Sequence, residues 1–70
     1  MDILKHFGTR VQKLRLDAGL SQEAFANLTG LHRTYISGIE RGIRNPTLLI
    51  VQRIANSLSI SPSKLLKMEN

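Results

Sequence analysis

The stretch SQEAFANLTGLHRTYISGIERG, Ser21 to Gly42, decides the fold. Ser21 is placed to cap a helix, with Gln22 and Glu23 in a first turn that tolerates negative charge and side-chain donors or acceptors. Phe25 and Leu28 give that helix an apolar edge. Thr29-Gly30-Leu31 ends it after about two turns, and Gly30 suits the left-handed position of a tight connection. A third helix follows from about His32 to Arg41, with Ile36 and Ile39 inward and Gly42 closing it. Two short helices joined by a glycine turn are therefore expected.

Outward from that pair the pattern stays helical. Ile3, Phe7, Val11, Leu14 and Ala18 recur at spacings of four, four, three and four, an apolar stripe that Asp2 caps and Gly19 ends. On the other side, Asn45 precedes a proline and is expected to be extended. Thr47 then caps a fourth helix from Leu48 to Leu58, with Leu48, Val51, Ile54, Ala55 and Leu58 as its buried stripe. Ser61-Pro62 opens a short last helix carrying Leu65 and Leu66. No strand pattern or repeat is present, so the fold class is all-α: five short helices in a single domain over 1–70.

Composition narrows the function. Seventy residues leave no room for a second domain. The absence of cysteine excludes disulfides, thiolate zinc sites and thiol nucleophiles. His6 and His32 lack metal-site spacing, so no metal or cofactor is expected. A net charge of +5 and a pI near 10.5 point to a polyanionic partner. Without a membrane-length apolar run or a signal-peptide layout, a cytoplasmic protein is expected. Paired carboxylates and a glycine-rich phosphate loop are also missing, which argues against an enzyme.

On the third helix, Ile36, Ile39, His32 and Glu40 gather on one side at about 100° per residue, and Thr34, Gly38 and Arg41 on the other, flanked by Arg33, Ser37 and Tyr35. The outward face is small, polar and cationic, which suits a DNA major groove where base edges are read by short polar groups. Gly38 weakens the helix by about 1 kcal/mol relative to alanine, which is understandable if a surface must approach closely there; the other reading is packing against a helix. Arg44 and Asn45, in the following loop, suit phosphate oxygens.

Ser21-Gln22-Glu23-Ala24-Phe25-Ala26, then Gly30, Ile36 and Ile39, resembles the helix-turn-helix of the phage repressor and Cro type, over about Phe7 to Leu58. The run RTYISGIERGIRNP resembles the controller proteins of restriction-modification systems in particular. The resemblance implies a compact five-helix, lambda-repressor-like DNA-binding domain with its helix-turn-helix at about 21–41. It implies that Gln22 holds a phosphate, that Arg33, Thr34 and Ser37 face bases, and that Tyr35, Arg44 and Asn45 lie near the backbone. Gly38 and Arg41 on the outward face, and His32 at the helix start, are further candidates for DNA contact. It further implies an ion pair between Arg10 and Glu40. His32 departs from the capping Ser, Asp or Asn usual before Arg33; it either touches DNA or is a half-exposed helix-start residue.

Leu49 and Ile50 flank Arg53 outside the buried stripe of the fourth helix, and with Ile60 and Leu66 they suggest a dimerisation surface on helices four and five (48–67). Two recognition helices about 34 Å apart would reach both half-sites of a pseudo-palindrome. The expected function is a homodimeric transcription regulator on promoter DNA, a controller that represses its own gene, with no small-molecule ligand and no membrane partner. Activation of a neighbouring gene, and with it contact to RNA polymerase, rests on resemblance alone. A phage-type repressor or antitoxin of the same fold is the alternative. A helix-turn-helix protein-interaction module that does not bind DNA is the rival of another class, and it would need hydrophobic anchors where Thr34, Ser37 and Gly38 stand.

Overall fold

A computed structural model describes residues 2–67. Five helices follow in order: α1 (Ile3–Asp17), α2 (Gln22–Thr29), α3 (Arg33–Glu40), α4 (Leu48–Ser57) and α5 (Pro62–Leu65). No strand occurs among the described residues.

Local chemistry places four of the five helix starts. The Asp2 carboxylate accepts from the Leu4 and Lys5 amides. Ser21 Oγ accepts from the Ala24 amide, Thr47 Oγ1 from Ile50 and Ser61 Oγ from Lys64, each satisfying a donor the helix itself leaves open. His32 caps α3 with no side-chain bond. Gly30 ends α2 at φ 73°, in the left-handed region. The buried Thr29 hydroxyl donates to the Ala26 carbonyl and accepts from the Leu31 amide, so the turn between α2 and α3 is bonded from within.

Phe7 and Val11, Phe25 and Ala26, Ile36 and Ile39, Val51, Ile54 and Ala55, and Leu65 form one core to which every helix contributes. α3 lies against α1 and α2, and α4 joins α2 to α5. Gly8 is what lets α1 and α3 meet. A Cβ there would collide with the Ile39 carbonyl oxygen and stand 2.6 Å from that of Glu40.

Several expected interior positions turn out otherwise. Ile3 and Ala18, at the ends of the α1 stripe, are exposed, because the buried face continues from Phe7 and Val11 to Gly8 and Arg15. Leu28 is exposed while Ala26 and Thr29 are buried. Leu48 is 83% exposed: it starts α4 beyond the edge of the core. Leu58 is only half-buried, and His32 is exposed.

Candidate nucleic-acid interface

α3 is locked on one side and open on the other. Ile36 and Ile39 are buried, whereas Arg33 and Thr34 are exposed and Ser37 and Tyr35 half-buried. The exposed residues sit in the N-terminal half of the helix, and Arg41, Arg44 and Asn45 stay exposed beyond its C-terminal end. The cationic side chains of this region thus reach solvent while the helix bearing them is immobilised from behind.

The expected pair between Arg10 and Glu40 is not the one that forms. Glu40 pairs with Arg15: Arg15 Nε donates to Oε2 at 2.6 Å and Nη2 to Oε1 at 3.1 Å. Both side chains are almost fully buried, at 7% and 2% exposure. The reason is angular. Arg15 stands four residues beyond Val11 and so about 40° from it around α1, whereas Arg10 is about 100° away. The stripe that buries Phe7 and Val11 therefore carries Arg15 inward, and its spacing is the signal that finds this residue. Arg10 turns elsewhere, with Nη2 donating to the Lys64 carbonyl and tying α1 to α5.

Two further bonds make the pair a frame. Arg15 Nη1 donates to the Leu20 carbonyl at 2.8 Å, holding the connection into α2. Gln22 Nε2 donates to Glu40 Oε1 at 3.0 Å. Each Glu40 oxygen is thereby satisfied, as a buried carboxylate requires. Gln22 is the first residue of α2, so its amide is held beside a helix N-terminus, where unpaired backbone N–H groups favour anions. One N–H of that amide is committed to Glu40, and the second remains for another acceptor.

Gly38, expected as a point of close approach for DNA, has its open side covered in the free chain. It is buried, and the space its missing side chain leaves is filled by Arg44. A Cβ on Gly38 would lie 2.6 Å from Arg44 Cγ and 3.3 Å from Nε. The guanidinium of Arg44 lies 5.7 Å from the centre of the Tyr35 ring. Tyr35, Gly38 and Arg44 thus come together, and Gln22 joins Glu40. Arg33, Thr34, Ser37, His32, Arg41 and Asn45 are placed individually along the same helix and loop.

The model of the helix-turn-helix family matches residues 11–65. The chain belongs to the helix-turn-helix family. Among helix-turn-helix proteins it is similar to the control protein C.BamHI of Bacillus amyloliquefaciens, with 46% identity over 61 residues, 86% of this chain and 75% of that one. It is also similar to the control protein C.MunI of a Mycoplasma species, with 45% identity over 91% of this chain and 88% of that one. The crystal structure of the restriction-modification controller protein C.AhdI from Aeromonas hydrophila superposes with a TM-score of 0.85 at 47% identity, covering 91% of this chain and 96% of that one. The tetramer of the controller C.Esp1396I in complex with its natural 35 base-pair operator matches with a TM-score of 0.82 at 38% identity, over 90% of this chain and 83% of that one. Among the described residues, no helix is long and apolar enough to cross a membrane.

The residues expected to pair two copies differ in exposure. Leu49 is 75% exposed, and Arg53 and Leu66 are exposed with it. Ile50, on α4, and Ile60, in the connection after it, are half-buried against the chain's own core. Leu48 joins Leu49 as an exposed apolar side chain of α4.

Proposed function

We propose that this chain is a sequence-specific transcription regulator that binds pseudo-palindromic promoter DNA as a homodimer and serves as the controller of a restriction-modification system. The observation that carries the reading is the buried Arg15–Glu40 pair with Gln22 attached to it. It fixes a phosphate-facing amide on α2 and the recognition helix α3 through one carboxylate. Arg33, Thr34 and Ser37 read base edges in the major groove, while Gln22, Tyr35, Arg44, Asn45 and Arg41 hold the backbone.

The domain measures 30 Å along its longest axis, which is shorter than the separation of about 34 Å between successive major-groove half-sites. One copy reads one half-site, and Leu48, Leu49 and Leu66 with Arg53 join it to a second. The controller C.Esp1396I assembled as a tetramer on its operator supports multimeric binding here; repression of the chain's own promoter at full occupancy is part of the same proposal. Activation of a neighbouring gene through RNA polymerase extends the likeness to controller proteins. The regulator acts in the cytoplasm and needs no catalytic group, cofactor or small-molecule ligand.

Titration of duplex DNA from upstream of its own gene at several salt concentrations tests this. Log affinity should fall with log salt at a slope near −0.9 per neutralised phosphate. Arg33→Ala should cost about 1–3 kcal/mol and relax base preference, whereas Gln22→Ala should weaken all sequences alike. Uniform losses for both variants would refute the division of roles, and no salt-dependent, sequence-preferring complex would refute the function.

A further inference from the structure

Arg44 follows α3 by four residues and is an exposed residue, a combination that normally leaves a long cationic side chain free to sample many rotamers. Here its stem is laid across the one position of α3 that has no side chain. The Gly38 α-carbon leaves room for Arg44 Cγ, Cδ and Nε, all within 3.5 Å of where a Cβ would stand. The Ile43 amide donates to the Gly38 carbonyl at 3.0 Å, so the backbone just before Arg44 docks on the same residue. The head then rests near the face of Tyr35, 5.7 Å from the ring centre, within the reach of a cation–π attraction. Stem, backbone and head are each held, while the residue as a whole stays exposed.

We propose that Gly38 is a positioning residue: its bare α-carbon and the Tyr35 ring form a seat that orders Arg44 before DNA arrives. The inference rests on the DNA-binding reading above and assigns Gly38 a role within it that acts through Arg44. Ordering one long side chain in advance removes a cost that association would otherwise carry.

Gly38→Ala fills the seat. The atoms it strikes belong to a side chain and not to backbone, but the nearest, Cγ, is close to the Arg44 backbone, so Arg44 must swing away from its root. The fold should survive with the thermal midpoint within a few degrees of the original, because alanine's better helix propensity offsets part of the cost. Affinity for the duplex from upstream of its own gene should nevertheless fall roughly two- to tenfold per protomer. In an Arg44→Ala background the same substitution should change affinity by less than about twofold, because uncoupled substitutions add and coupled ones do not.

An equal loss in both backgrounds would overturn the proposal in favour of direct DNA contact at Gly38. Parallel losses of affinity and thermal stability would overturn it in favour of packing alone. Tyr35 is the only tyrosine in a chain without tryptophan, so its fluorescence reads the seat without DNA and without altering Gly38. Arg44→Ala should change that emission in the free protein, and unchanged emission would overturn the seat. Failure of the unsubstituted chain to bind DNA would remove the function itself, and is told apart from failure of the seat, which leaves unsubstituted binding intact.

Discussion

Arg15→Met removes one partner of the buried pair and leaves Glu40 inside the protein with a single bond, from Gln22. Two charge-assisted bonds to the carboxylate and one to the Leu20 carbonyl disappear together. All three have the guanidinium as charged donor, so at roughly 1.5–3 kcal/mol each the gross loss is about 4.5–9 kcal/mol. Part of this is returned because Arg15 no longer has to be desolvated, which brings the expectation to the 3–5 kcal/mol typical of a broken buried pair. A domain of this size holds only about 3.5–10 kcal/mol in all. In urea, at about 1 kcal/mol per molar for so small a chain, the midpoint followed by circular dichroism should move down by about 3–5 M, or the variant should be unfolded from the outset.

Arg15→Met/Glu40→Leu replaces both charges by apolar groups and should recover most of that stability. It should still bind DNA weakly, because Gln22 has lost its anchor. A single variant within about 1 kcal/mol of the original protein, or a double variant no more stable than the single, would show that the pair does not carry the α1–α3 contact.

Gly8→Ala should cost about 1–3 kcal/mol despite alanine's better helix propensity, since the colliding atoms are backbone carbonyls of α3 that cannot turn aside; a thermal midpoint that rises would contradict the close crossing. Leu49→Glu should leave the fold untouched, because the side chain is 75% exposed, and should shift the sedimenting species to monomer. A dimer of unchanged affinity would remove that surface from the interface.

What was legible in the sequence was what is local. Asp2, Ser21, Thr47 and Ser61 were expected to cap helices and each accepts a backbone amide, because a cap is set by residues three positions apart. Gly30 was readable as a turn for the same reason. Gly8 and Leu48 were not, and of Arg15 only the inward spacing from Val11 is readable and not its partner, because their roles depend on which element lies opposite. An arginine on an apolar face looks like the end of a stripe until a carboxylate 25 positions away is brought to it. Gly38 was legible as an anomaly but not as a seat, since its spacing shows that a side chain is missing and says nothing of which neighbour fills the space.

These long-range contacts gather at one end of α3, and that placement bears on reading DNA. Gly8 receives the carbonyls of Ile39 and Glu40, and Arg15 grips the Glu40 side chain, so the last turn of the helix is fixed in both depth and rotation. Arg33 is seven residues earlier, about 10 Å along the axis. Side-chain tips stand about 5–6 Å from that axis, so a roll of about 10° moves them by about 1 Å, enough to spoil a bidentate contact with a base edge. A helix of eight residues has too little contact area of its own to resist such a roll through apolar packing alone, because Ile36 and Ile39 can slide against neighbours without losing burial. A bidentate ion pair is directional and cannot. The buried charge therefore belongs to the accuracy of reading as much as to stability. Exchanging it for apolar residues should leave a folded domain that binds every duplex more weakly, through the freed Gln22, and that beyond this uniform loss discriminates less between operator and random duplex.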